Sequence, residues 1–486
     1  MNTIAAAIAA NRFGLGARPG DLREIGGDPR GWLLAQLVPE TTLPQPLAAL
    51  PGTADDQVAF FVWLRDFYKT ARAAAAAGGG ATMAGQSGVA NVERSYVQAL
   101  LPRYATAIGA RFQAAIESTM PFRERLIHFW SNHFVVSAAK PAAIALRASY
   151  ERDIARRLVM GRFGDMLRAA EQHPSMLLYL DNTQSIGPNS PWGRDPELVP
   201  KNPIAGKVKG LNENLAREIL ELHTVGVNGG YTQADVTSFA RVITGWQIAN
   251  PFKQVKLKRF KHWSAQDFFY FNAAAHEPGP QQVLGITYAQ SGADQGLAVL
   301  ADLARHPGTA QFVATKLARH FIADAPPAAA VERLATAFTA SDGDLPSVYR
   351  ALVQSPEAWD PAPVKFKQPH EHLVSAVRGL GGPPMTGRQL LVVLGEMGQR
   401  PYWQPGPNGW KDAQGEWLSP DTLWKRLEWA TVAGRAMASA ARDPVALGDE
   451  LLGPGCSEHT RQAIAQAETP AQGIALLLTS PEFLRR

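Results

Sequence analysis

NENLAREILELHTVGVNGGYTQADVTSFARVITGW, residues 212–246, reads as two helices around a glycine turn. At about 100° per residue, Asn214, Arg217, Glu218 and Glu221 fall within one arc, with Leu215, Ile219, Leu222 and His223 on the opposite side. Gly226 and Gly229-Gly230 stop this helix. Thr232, with Asp235 three residues on, then forms a capping-box start for a second helix that closes near Gly245-Trp246. Apolar residues at the same three-to-four-residue spacing, in alanine-rich segments, dominate the rest of the 486 residues, and alternating β-branched runs are scarce. The expected fold is therefore mainly α, a large multi-helix domain with a minor β-hairpin and long Gly/Pro-rich loops.

Upstream, PFRERLIHFWSNHFVVS (121–137) sets Phe122, Leu126, Phe129, Trp130, His133, Phe134 and Val136 on one broad face, and Glu124, Arg125, His128 and Asn132 on the other. His128 and His133 are five apart, whereas two ligands on one helix face prefer a spacing of four. His133 is thus either a hydrogen-bonded core histidine or a functional one. The Ala/Gly run 71–92 predicts a mobile loop, and the Gly- and Pro-rich stretch 183–210 a long, lid-like one. FFYF, HEPGP and VLGITY predict a strand, turn and strand over 268–288. A break near 360–365 (DPAPVKFKQP) is the best place to divide residues 1–362 from a smaller helical portion, 363–486.

With 46% hydrophobic and 19% charged residues the chain has ample core, which excludes global disorder. Its net charge, 48 − 43 = +5, permits anionic partners but lacks the dense basic character of a nucleic-acid binder. The single Cys456 rules out an internal disulfide and a cysteine-based zinc site. No run reaches the roughly 18 apolar residues of a membrane span. The first residues lack the positive region of a secretory signal, so a cytoplasmic location is the expectation from sequence.

Four groups of residues carry candidate chemistry. On the 212–223 helix, Glu218 and Glu221 are either part of a solvated face, with Arg217 paired to Glu221, or a carboxylate pair facing a cleft. Asp181, at the junction of a helix with the 183–210 loop, is a cap or a third carboxylate. Trp403, Trp410, Trp417, Trp424 and Trp429 cluster around a Pro/Gly-rich stretch, where they either line a sugar-stacking groove or lock the loop to the core. The basic run 253–263, with Lys256, Lys258, Arg259 and Lys261 beside Phe260 and Trp263, is an anion-binding loop or a solvated edge.

These groups support three readings. The leading one is a glycan-acting enzyme, hydrolase or lyase, needing no cofactor. Its catalytic residues are Glu218, Glu221, Asp181 and His133, and its substrate is held by Trp403, Trp410, Trp417, Arg217, Asn214, Lys258 and Arg259. The second is a divalent-metal-dependent oxidoreductase or hydrolase, with His133, His223 or His276 beside a carboxylate. The third is a binding or scaffold protein contacting a polysaccharide, another anionic polymer or a partner protein. GxSxG, GxxxxGK[ST] and HExxH are all absent.

NRFGLGARPGD (11–21), FRERLIHFWSNHFVVS (122–137), MLLYLDN (176–182), residues 212–246, HEPGPQQVLG (276–285) and GQRPYWQPGPNGWKDAQGEWL (398–418) together resemble a bacterial family known as domain of unknown function 1800. The resemblance implies one long, mainly helical domain over 1–486 and assigns no chemistry. Members are often encoded beside an exported family similar to alkaline phosphatases and sulfatases, which implies a periplasmic or surface role.

Overall fold

The computed structural model describes residues 3–76, 83–199, 210–250, 263–382, 385–437 and 443–486. It is mainly α, and among the described residues the β structure amounts to two small antiparallel two-stranded sheets and two isolated bridges. No helix among them is long and apolar enough to cross a membrane. Proline opens many of the helices, as at Pro121, Pro307 and Pro369, where a missing N–H costs nothing in the first turn.

The largest apolar cluster runs from Ala6 to Phe483 and mixes residues from both sides of position 362. A second cluster joins the Met83–Glu117 helix (Tyr104, Ile108, Phe112) to Leu373, Leu390 and Leu394 on two later helices. Polar ties stitch the chain ends to the middle. Arg12 donates to the carbonyls of Ala358 and Ala362 at 2.7 Å each, and Phe366 bridges to Arg485. Arg486 donates through Nη1 to the His320 carbonyl at 2.6 Å.

Several expectations need correction. Much of 71–92 is helical, since Thr53–Ala76 and Met83–Glu117 run into it from either side, and residues 77–82 lie outside the described residues. Alanine is the best helix former, so an alanine run extends a flanking helix rather than ending it. The single hairpin is instead two ladders. Phe269–Phe271 (β2) pairs backward with Trp246–Ile248 (β1), while Gln281–Val283 (β3) pairs with Ile286–Tyr288 (β4). Leu284 and Gly285, at φ 50° and 79°, make the two-residue turn with left-handed backbone that such hairpins favour. The stretch 183–210 holds short helical turns up to Leu198 and is tied down at Ile186 and Trp192, and residues 200–209 lie outside the described residues.

The helix at 212–223 also differs in detail. Asn214–Glu218 is α-helical, but Ile219–His223 widens into a π turn. That wider turn shifts the facing of everything after it. Leu220 is therefore buried and Leu222 only half-buried, although ideal helical spacing puts Leu222 inside. Thr232 and Asp235 form the expected capping box.

Candidate functional site

A cavity of about 480 Å³ opens where the two apolar clusters meet, walled by Phe129 of the first and by Leu15, Leu394 and Tyr402 of the second. Six cationic side chains reach its wall (Arg111, Arg125, Arg147, Lys316, Arg319 and Lys411), against three carboxylates, Asp324, Glu371 and Asp412. His128, His133, His320 and His370 also line it. Four elements supply most of the wall. These are the Pro121–His133, Pro307–Phe321 and Pro369–Leu380 helices and the irregular segment 399–413.

The irregular segment is held rigidly. Asn132 donates through Nδ2 to the Trp410 carbonyl at 2.7 Å and accepts from the Trp410 N–H at 2.8 Å. Gly409 sits at φ 74°, and a Cβ there would meet the Asn132 carbonyl oxygen at 2.6 Å, so only glycine fits beneath this clamp. The Ser137 hydroxyl donates to the Gln404 carbonyl at 2.7 Å, and the Ala138 N–H to the Tyr402 carbonyl at 2.8 Å.

Most of the charges neutralise one another in buried networks. Glu371 accepts from Arg125 Nη1 at 2.6 Å and from Arg486 Nε at 3.2 Å, and it also caps its own helix through the Gln368 N–H at 2.9 Å. Burial opposes the Glu371 charge, but Arg486 and Arg125 outweigh it and hold the carboxyl well below its usual range. Glu151 accepts from Arg111 Nε at 2.8 Å and from the hydroxyls of Ser131 and Tyr402. The Arg147 guanidinium stacks 4.4 Å over the Tyr402 ring and donates to Ser131 Oγ at 2.7 Å. Its Nε and Nη1 are buried with no hydrogen-bond partner among the described residues.

His320 and Asp412 form a dyad. The imidazole Nδ1 lies 2.9 and 3.0 Å from the two carboxylate oxygens, which can only accept, so Nδ1 carries the proton. Asp412 accepts in addition from Gln368 Nε2 at 3.0 Å, and its backbone carbonyl accepts from Lys365 Nζ at 2.8 Å. Burial would raise the Asp412 carboxyl, but His320, Lys365 and Arg486 keep it far below its ordinary value. Burial lowers His320 in turn, so the ring is neutral at pH 7. Its Nε2 lone pair is buried without a hydrogen-bond partner. The same condition holds for Nδ1 of His133, whose Nε2–H donates to the His223 carbonyl at 3.1 Å, and for Oε1 of Gln404. Unpaired buried polar atoms are uncommon in folded proteins, and several around one cavity mark a place for a ligand or ordered water.

The residues singled out from sequence scatter around this cavity. His133 and Trp410 line it. Trp417 is buried behind Trp410, with ring centroids 5.8 Å apart, and donates to the Lys411 carbonyl at 2.8 Å. Trp403 lies under the Arg400 guanidinium, 3.9 Å from its ring centre. Glu218 and Glu221 are not part of the cavity wall. Glu218 is half-buried, and burial first, then Glu221, raises its carboxyl. Arg217 bridges Glu213 at 3.2 Å and Glu221 at 3.4 Å, and Asn214 is exposed at the helix start. Asp181 has left-handed backbone at φ 58° and pairs with Lys140 at 2.7 Å. Lys258 and Arg259 lie outside the described residues.

Among the proposed metal ligands, His133 and His223 have ring centroids 6.1 Å apart, but His276 is bonded to the Thr244 carbonyl at 3.1 Å on another part of the fold. His223 Nδ1 lies 2.8 Å from Glu171 Oε1 with both side chains fully buried, although the angles fall short of a hydrogen bond. Among the described residues, no group of three or more His, Cys, Asp or Glu side chains is placed to hold a metal ion.

His320, Asp412, Lys316 and Arg147 escaped the sequence reading. A faint signal existed for two of them. Phe312, Lys316 and His320 recur every four residues on one helix, beside the apolar Val313, Leu317 and Phe321. Asp412 sits on irregular backbone and meets His320 across 92 residues, a pairing no local pattern reveals. No curated protein and no solved structure matches the chain. A family model described as "Protein of unknown function (DUF1800)" matches residues 8–485, and the chain belongs to that family.

Proposed function

We propose that the protein is an enzyme performing acid–base chemistry on a small anionic substrate in the cavity beside His320. One observation carries this reading: a neutral imidazole, oriented by an ionised Asp412, with its Nε2 lone pair unused in a cavity whose wall carries six cationic side chains against three carboxylates. Asp412 keeps His320 in the Nδ1–H tautomer and stabilises the imidazolium formed when Nε2 takes a substrate proton. The unpaired Nε and Nη1 of Arg147 supply donors for a substrate carboxylate or phosphate. Glu371 and Asp412 are held ionised, which removes both as the protonated acid a two-carboxylate glycosidase needs. Within the glycan reading, that ionised pair favours a lyase acting on an acidic sugar over a hydrolase, with Trp410 on the cavity wall as a stacking surface.

Thermal-shift and calorimetric titrations with mono- and dicarboxylates, sugar phosphates and uronates check the binding. At least one class should stabilise the protein, with affinity falling as salt rises and lost in Arg147→Gln. Proton abstraction is read separately, as deuterium uptake by the bound ligand in D₂O followed by NMR. His320→Gln should slow that exchange by about 10²–10⁴-fold. If no anion shifts the melting temperature, the reading fails.

A further inference from the structure

We propose that Lys316 is a carbonyl-capturing residue, so that the cavity takes an aldehyde or ketone bearing a carboxylate or phosphate and holds it as an imine. This deepens the acid–base reading above and rests on the same cavity. Phe312, Lys316 and His320 stand one helical turn apart on the Pro307–Phe321 helix, and Lys316 and His320 both reach the cavity wall. The Lys316 ammonium lies 5.4 Å from the centre of the Phe312 ring. No ion pair joins it to any carboxylate among the described residues, whereas Lys365 and Lys411 nearby are paired with Asp324 and Glu416. The charged groups acting on it are Asp412, which favours the ammonium, and Arg319, which opposes it, with the neutral rings of His133 and His320 beside the same cavity. Burial is the largest influence and brings the amine down to about 8, so an appreciable fraction is the free base near neutral pH.

The chemistry balances without any other reactant. The Nζ lone pair adds to the carbonyl carbon, and the carbonyl π pair moves to oxygen. His320 Nε2 carries one proton from the nitrogen to that oxygen, giving the carbinolamine. The nitrogen lone pair then forms the C=N bond as the hydroxyl leaves with a second proton delivered by the His320 imidazolium, and the remaining N–H proton returns to His320, so both amine hydrogens end in the water released. Arg147 donates to the anionic group of the same molecule, which orients the carbonyl toward Nζ.

Pyridoxal 5′-phosphate, an aldehyde with a phosphate, is the probe. The whole protein is incubated with it at pH 8, reduced with borohydride, digested and mapped by mass spectrometry. Lys316 should label at least tenfold faster than the exposed Lys69, and 2-oxo acids in excess should slow it. Lys316→Arg should remove that label and keep the melting temperature within a few degrees, and Lys316→Met should also remove it. Arg147→Gln should slow the labelling severalfold. Labelling that follows surface exposure, with Lys316 at or below the level of Lys69, overturns the proposal. If anions lacking a carbonyl bind and depend on Arg147 while Lys316 stays unlabelled, the acid–base reading stands and the imine alone is lost.

Discussion

Glu371 shows how single side chains set both the stability and the charge of the cavity. It is the shared acceptor of two buried arginines, so Glu371→Gln leaves Arg125 and Arg486 under-neutralised. The expected loss is about 3–5 kcal/mol, the usual cost of breaking a buried pair by removing one partner. The pH dependence follows from the direction of its shift. A carboxyl depressed on folding contributes stability that is fully present above its unfolded value, about 4.3, and is lost as pH falls toward the lower folded value. Urea melts from pH 7 down to pH 3 should show that slope in the native protein and a weaker one in Glu371→Gln, and equal slopes would remove Glu371 from the acid response. The polar residues of the Pro121–His133 helix belong to the same scale. Their facing was readable, but helical spacing gives the direction of a side chain and not its surroundings. Glu124 and Arg125 are buried in ion pairs, with Arg156 donating to Glu124 at 2.9 Å, rather than bathed in solvent.

At the scale of elements, the clamp between Asn132 and Trp410 joins a helix to an irregular segment that carries one half of the dyad. Asn132→Ala removes two hydrogen bonds and leaves a half-buried backbone N–H and C=O without partners, a loss of about 1–3 kcal/mol. Faster amide exchange should follow across 402–413, along with loss of the His320–Asp412 contact, read as a change in the His320 ring resonances on pH titration. Unchanged exchange at the Trp410 amide would show that the apolar anchor of Trp417 is sufficient alone. Gly409→Ala should act in the same direction, because it strains a left-handed residue and drives a methyl into the Asn132 carbonyl. Helix boundaries were legible where propensity and capping agree, as at Thr232 and Asp235. They were obscured where a wider turn intervenes, as at Ile219–His223, because no local composition announces an extra residue per turn. The ladder between β1 and β2 was hidden for a related reason. Phe269–Phe271 is closer in sequence to the strand that follows it, and only packing around the fully buried Trp246 selects the earlier partner.

Across the whole molecule, the division suggested near residue 362 meets a dense set of ties. Arg12 reaches the carbonyls of Ala358 and Ala362, Arg378 donates to the Gly16 carbonyl at 3.1 Å, and Asn11 donates to the Leu451 carbonyl at 3.1 Å. Arg486 meets Glu371 and the His320 carbonyl, so the last side chain and the dyad helix share one buried network. Composition does announce a Pro-rich break at 360–365, but it is silent about chain segments that return across it. With the apolar core drawn from both sides of that break, urea unfolding should follow a single cooperative transition, with fluorescence and far-ultraviolet circular dichroism coincident. Arg486→Ala, a change at the far end of the chain, should lower the midpoint of that one transition and disturb the His320 resonances together. Two separated transitions, or a loss of C-terminal structure that leaves His320 untouched, would instead mean that the segment after residue 362 folds as its own unit and that the cavity draws its rigidity from the earlier helices alone.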